Sequence, residues 1–151
     1  YTDDFLSRLI GLLQLQDAGS AMLYTSDHGE DIFDDHRRLF LHASPVPSYY
    51  QLHVPFIVWT SDTYREKYPE HMDALQKNRH KSVASNRVVF HSVLDLAGVT
   101  TTYVNDSLSV ASPSYTEFPR FYLNDHNEPR SYDDIGLRKE DFEMFGKMGI
   151  R

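Results

Sequence analysis

The residues best suited to chemistry lie in one short stretch, "LYTSDHGED", Leu23 to Asp31. An apolar run stops there at an aspartate, a histidine, a glycine and two more carboxylates. A carboxylate oxygen and an imidazole nitrogen are ordinary zinc ligands at about 2.0–2.2 Å, and Asp27 with His28 supplies one of each. Successive side chains of a strand point to opposite faces, so both can reach one ion only where the chain leaves extended geometry; Gly29 makes such a turn cheap. Two ligands do not complete a site. Glu30, Asp31, Asp34, Asp35, His36, His42 and His53 are further candidates, and His42, in "FLHAS", sits where a long loop can fold back over an ion. Catalytic zinc keeps a position open for substrate, so few nearby protein ligands are no defect.

Each of these residues also has a plainer reading. A bare Asp-His-Gly serves as a capped turn with a hydrogen-bonded histidine beside it. Asp34, Asp35, His36, Arg37 and Arg38 read as a solvated surface with local ion pairs, and Asp31 is assigned to that surface too. His53 reads as a satisfied histidine at a strand start, and His71, His80, His91 and His126 have weaker claims. Tyr49 and Tyr50 either line a cleft or pack the loop onto the body.

The elements that must position this stretch follow from periodicity. Residues 3–16 carry apolar side chains at helical spacing, with Asp3 and Asp4 opposing the dipole in the first turn and Gly19 as a stop. "AMLYT", Ala21 to Thr25, is apolar without alternation, as in a parallel strand covered on both faces. Residues 26–51 then read as a polar loop, of a length that is often functional. "VPFIVW" resumes the strand pattern, with Pro55 at its beginning or on an edge. Residues 61–78 predict a helix in two pieces because Pro69 suits a first turn. Residues 86–97 predict another, capped by Ser85 or Asn86 and closed by Gly98. Residues 100–118 read as loop, "RFYLN" as a short strand, and residues 136–149 as a terminal helix whose Phe142, Met144 and Phe145 pack a core. Strands alternating with helices indicate an α/β layered fold, in which ligands gather at the carboxyl ends of strands, where Asp27 and His28 fall.

At 151 residues the chain is long enough for one domain with a real core. It begins at Tyr1, inside a helical pattern, so its natural start is expected upstream. A formal charge of -7 without a basic block argues against a nucleic-acid partner. The absence of Cys removes disulfides, thiolate nucleophiles and Cys-based zinc sites.

"YTSDHGED", then "FLHAS", then "LHVPFIVW" resembles the C-terminal part of the phosphoethanolamine transferases of Gram-negative envelopes, members of the alkaline phosphatase and sulfatase superfamily. The ending "RFYLNDHNEPRSYDDIGLRKEDFE" is similar to the tails of some sulfatase members. The resemblance covers most of the chain. It implies an α/β fold, part of a layered alkaline phosphatase-like (sulfatase-like) sheet with flanking helices, and makes residues 1–151 the C-terminal portion of one catalytic domain. By the same resemblance Asp27 and His28 bind the catalytic zinc, His42 lies at the phosphate or a second zinc, and Glu30 sits next to that site as a substrate-binding residue. The family's upstream Glu ligand, its Thr nucleophile and a further His have no match here. Ala43 stands where relatives commonly have Gly.

The implied activity is transfer of phosphoethanolamine from a phospholipid donor, phosphatidylethanolamine, to a glycolipid acceptor, lipid A or another envelope glycan, through a phosphorylated Thr. The implied location is the inner membrane, held by a segment outside this chain, with the catalytic domain in the periplasm. The 151 residues alone are expected to be inactive. A sulfatase or phosphodiesterase of the same superfamily and a non-enzymatic metal-binding or scaffold module are the alternatives. A partial sheet also leaves unpaired edges, through which the isolated chain is expected to dimerise.

Overall fold

The computed structural model describes residues 1–42, 46–124, 126 and 128–150; Ala43, like Pro45 of the "SPVP" segment, lies outside them. In chain order the elements are α1 (Thr2–Gln14), β1 (Ala21–Thr25), β2 (Asp31–Ile32), β3 (Phe40–Leu41), α2 (Tyr49–Leu52), β4 (Phe56–Thr60), α3 (Asp62–Lys67), α4 (Pro69–Asn78), α5 (Ser85–Leu96), a 3-10 turn (Asp106–Leu108), β5 (Phe121–Leu123), β6 (Pro129–Ser131) and α6 (Lys139–Lys147). Helices and strands mix as expected of the α/β class. The chain divides into two compact units, residues 1–24 with 57–116, and residues 25–56 with 117 onward. No helix among the described residues is long and apolar enough to cross a membrane.

In the first unit, α1 carries Asp3 and Asp4 in its first turn but buries none of its residues. It also ends earlier than the glycine suggested, at a Leu15 cap. Gly19 lies beyond the helix, beside Tyr64, where a Cβ would make ordinary contact with the Tyr64 Cα at 3.4 Å. Strand β1 is half-buried at every position, without alternation, and pairs with β4. The start of β1 is tied to the start of α3 by Ser20 and Ser61: the Ser20 amide donates to the Ser61 hydroxyl, and the Ser61 amide to the Ser20 carbonyl, both at 2.9 Å. The same hydroxyl caps α3 by accepting from the Tyr64 amide. Pro69 occupies the first turn of α4, so the helical stretch breaks where its ring requires.

Helix α5 corrects one expectation: its N-cap is Ala84, without a side-chain cap, and Ser85 and Asn86 fall inside the helix. Gly98 does close it, at φ +66. The core of this unit gathers Tyr64, Leu96 and Ala111, with Val58, Met72 and Leu75 packed against them. Residues 100–118 form only the short 3-10 turn, yet Ser109 to Ser112 are buried. A buried loop must satisfy its own backbone. Here Asn78 Nδ2 donates to the carbonyls of Val110 (3.0 Å) and Ser112 (2.9 Å), and the Ser92 hydroxyl accepts from the Val110 amide at 3.0 Å.

The second unit departs further from the periodicity reading. Residues 26–51 contain the antiparallel β2–β3 hairpin, registered Asp31 to Leu41 and Ile32 to Phe40, and most of the short helix α2, which ends at Leu52. Pairs of two residues are too short to show a period. "RFYLN" supplies β5, which pairs with β6, a second strand that the sequence left unread. Helix α6 starts at Lys139 and buries Phe145, with Phe142 and Met144 half-buried, so the tail packs inward as expected.

Replacing Asn78 with Ala would leave two buried carbonyls without a donor. We expect it to destabilise the protein by about 2–3 kcal/mol, read as a lower urea midpoint with an unchanged m-value.

Candidate functional site

Thr25 ends β1, and the chain turns at Ser26 to His28. The Ser26 hydroxyl donates to the His28 carbonyl at 2.7 Å, and the His28 amide donates to Asp27 Oδ1 at 3.1 Å. That amide, joined by the Asp27 amide and the nearby His28 ring, holds the Asp27 carboxyl below the usual carboxylate range. An ionised, exposed carboxylate results, the form that binds metal. His28 Nδ1 lies 3.0 Å from the Gly29 carbonyl. A carbonyl only accepts, so Nδ1 carries the proton and Nε2 presents its lone pair. Asp27 Oδ2 stands 3.7 Å from that Nε2. The plainer reading, a turn with a hydrogen-bonded histidine, describes these contacts equally well and leaves both ligand atoms free.

Glu30 and His42 meet on the other side of the His28 ring. Glu30 Oε1 is 2.7 Å from His42 Nδ1 and 3.9 Å from His28 Nδ1. The two imidazole rings lie with centroids 3.9 Å apart, tilted by 35°. Ligating atoms of His28, Glu30 and His42 fall within 4.8 Å of one another, a spacing that could hold a metal ion. His28 therefore stands between Asp27 and the Glu30–His42 pair. Of the other sequence candidates, His53 bonds the Tyr49 hydroxyl through Nδ1 at 2.6 Å. His36 pairs loosely with Glu140 at 3.5 Å, and His71 Nδ1 donates at 2.8 Å to the Tyr64 hydroxyl, whose own proton goes to the Leu96 carbonyl.

Two surface assignments are overturned. Asp31 is 2% exposed: it accepts from the Ser48 hydroxyl at 2.6 Å and from Gln51 Nε2. The reason is register, since Asp31 pairs with Leu41 at the base of the hairpin and faces α2. Arg37, read as solvated, has a side chain only 5% exposed. Its Nη1 and Nη2 each reach the wholly buried Asp141 carboxylate at 2.8 Å, while Nε and Nη2 grip Asp35. Burial alone would push the Asp141 carboxyl up, but Arg37 and the amides of Tyr49 and Arg138 outweigh it and hold the group below its ordinary range. The same guanidinium lowers Asp35. Nothing in local sequence signals a partner 104 residues away.

Gly29 serves differently from the reading of a cheap turn. It is not among the glycines at positive φ. What demands it is space: a Cβ would sit 1.9 Å from the Tyr50 carbonyl oxygen, because the Gly29 amide donates to the Gln51 carbonyl at 2.8 Å. Tyr49 packs edge-on against Phe145 at 5.1 Å, which places it with the packing alternative and not in a cleft. Beyond the turn, Phe33, Arg38 and Leu41 hold φ of +66, +52 and +64. Non-glycine residues in this region cost about 1–3 kcal/mol each unless their surroundings enforce it.

A family model described as Sulfatase matches residues 1–99, well over half of the 151. The chain belongs to the sulfatase family. Within it, this sulfatase-family chain is 32% identical over 117 residues to the phosphoethanolamine transferase EptA of Salmonella typhimurium, covering 75% of this chain and 21% of that protein. The C-terminal periplasmic domain of phosphoethanolamine transferase EptC from Campylobacter jejuni matches with a TM-score of 0.63 at 30% identity, over 79% of this chain and 37% of that one. The corresponding Escherichia coli EptC domain, in complex with Zn, matches at TM-score 0.66 and 23% identity, over 90% of this chain and 38% of that one. The chain thus spans about a fifth of the length of these curated relatives, and its fold matches part of the periplasmic phosphoethanolamine transferase domain.

Gly29→Ala should destabilise the protein by about 3 kcal/mol or more, since backbone and not a flexible side chain blocks the new Cβ; thermal unfolding checks it. Acid should act through Asp141 and Asp35. Their lowered folded pKa values add stability that is complete above the ordinary carboxylate range and is lost as pH falls through the folded values. Stability measured from about pH 5 downward should therefore fall less steeply in Asp141→Asn than in the unmodified chain.

Proposed function

We propose that this chain forms one wall of the active site of a phosphoethanolamine transferase that moves the headgroup from phosphatidylethanolamine to lipid A or another envelope glycan. The observation that carries the reading is the placement of His28 after β1, with ligating atoms of His28, Glu30 and His42 within 4.8 Å of one another and Asp27 Oδ2 3.7 Å from His28 Nε2 on the opposite side of the ring. Zinc suits this donor set of carboxylates and imidazoles, with Asp27 and His28 as its ligands. When bound, it would offset charge on phosphoryl oxygens and lower the pKa of an attacking hydroxyl. The nucleophile is a Thr outside these residues, phosphorylated during turnover, and the 151 residues by themselves are inactive.

The chain's own residues have distinct tasks. The Gly29 carbonyl fixes the His28 tautomer by accepting from Nδ1, so Nε2 faces outward beside Asp27. Asp27, kept ionised by the His28 amide, supplies negative charge without needing a partner base. Glu30 accepts from His42 Nδ1 and thereby aims His42 Nε2 at a phosphate oxygen or a second ion. In the natural full-length protein the site would stand on the periplasmic side of the inner membrane, where the donor lipid and the glycolipid acceptor are both within reach.

Zinc affinity of the full-length protein should fall about tenfold or more in Asp27→Asn and in His28→Ala, measured by competition with a chromophoric chelator. Labelled phosphatidylethanolamine should leave a modified Thr detectable by mass spectrometry. Unchanged zinc affinity in both variants, or turnover without any modified Thr, would overturn the reading; release of free phosphoethanolamine with no acceptor product would make the protein a hydrolase of the same family.

A further inference from the structure

The hairpin that joins Glu30 to His42 has no long ladder to hold it: β2 and β3 contribute two residues each. Three of its residues, Phe33, Arg38 and Leu41, adopt left-handed backbone without being glycine. Leu41 immediately precedes His42. Such a segment keeps its shape only if tertiary contacts over-determine it. The contact that does so comes from the far end of the chain.

Asp141, in the first turn of α6, is 0% exposed and its two oxygens accept four hydrogen bonds. Arg37 Nη1 and Nη2 form a bidentate fork on it, which fixes direction as well as distance. The Tyr49 amide donates to the same carboxylate at 2.8 Å, and the Arg138 amide at 3.0 Å. Asp35 takes the remaining face of the guanidinium. One carboxylate therefore ties the hairpin, through Arg37, to the start of α2. Helix α2 and its N-cap Ser48 in turn carry the groups that hold the other end of the site: Ser48 and Gln51 on Asp31, and the Gln51 carbonyl on the Gly29 amide.

We propose that Asp141 is a positioning residue for the candidate metal site: through Arg37 and α2 it sets the placement of His28, Glu30 and His42. It touches none of those side chains in any contact described above, and it acts through the backbone that bears them. The inference rests on the metal reading under Proposed function for its consequence, and on the contacts alone for its mechanics.

The test compares Asp141→Asn with Ile135→Ala in the full-length protein. Ile135 is a buried apolar residue of the same compact unit and controls for a general loss of stability. Three quantities are read: thermal midpoint, zinc affinity by chelator competition, and hydrogen–deuterium exchange over residues 28–33 in metal-free protein. Asp141→Asn should weaken zinc binding about tenfold or more and raise exchange across 28–33 sharply, and cobalt substituted for zinc should show an altered visible spectrum. Ile135→Ala should lower the midpoint and change neither affinity nor local exchange. Equal effects of the two variants on affinity and exchange would overturn the proposal. If the unmodified protein takes up no zinc, the metal reading fails, and exchange alone decides on the positioning role. Should Asp141→Asn not fold, Arg37→Lys, which keeps the charge and loses the fork, replaces it with the same readouts and the same criterion.

Discussion

Main chain meets main chain at Gly29 with no room for a side chain, and the second unit is organised around that contact. The Gly29 amide bonds the Gln51 carbonyl, and the Tyr50 carbonyl occupies the place where a Cβ would point. The turn that carries Asp27 and His28 is therefore pressed onto α2. A backbone contact of this kind is more rigid than one between side chains, because no rotamer change can relieve it. Chemistry that needs two ligand atoms on one ion gains from such support.

Around α2 the interior is polar, and its satisfaction is complete. Asp31, Ser48, Gln51 and Asp141 are all buried, and no buried side-chain nitrogen or oxygen among the described residues lacks a partner. Buried charge adds little net stability, because desolvation offsets most of the attraction, but losing one partner is costly. Removing either member of the Arg37–Asp141 pair would leave the other charge buried and uncompensated. Apolar packing could cover the same surface without distinguishing one hairpin geometry from another. A fork of two hydrogen bonds does distinguish them.

The first unit has the opposite character. Tyr64, Leu96 and Ala111 form an ordinary apolar core, and polar side chains such as Asn78, Ser92 and Ser61 serve backbone groups beside it. Membership of the sulfatase family and similarity to phosphoethanolamine transferases accord with the mixture of helices and strands along the chain.

Composition and pattern alone determined the α/β class, the helices α1, α3, α4, α5 and α6, and the strands β1 and β4, and they marked the stretch proposed to hold the ligands. Each follows from local information: a period of side chains, a proline in a first turn, a glycine at a helix end. The motif string reached further and singled out Asp27, His28, Glu30 and His42 together. Tertiary structure alone decided that Asp31 and Arg37 are interior, that Gly29 is required by space and not by φ, and that α6 reaches back to the site loop. Those outcomes depend on partners 17 to 104 residues distant. A charged residue reads the same in sequence whether water or a buried guanidinium faces it, and only the folded chain brings the guanidinium there.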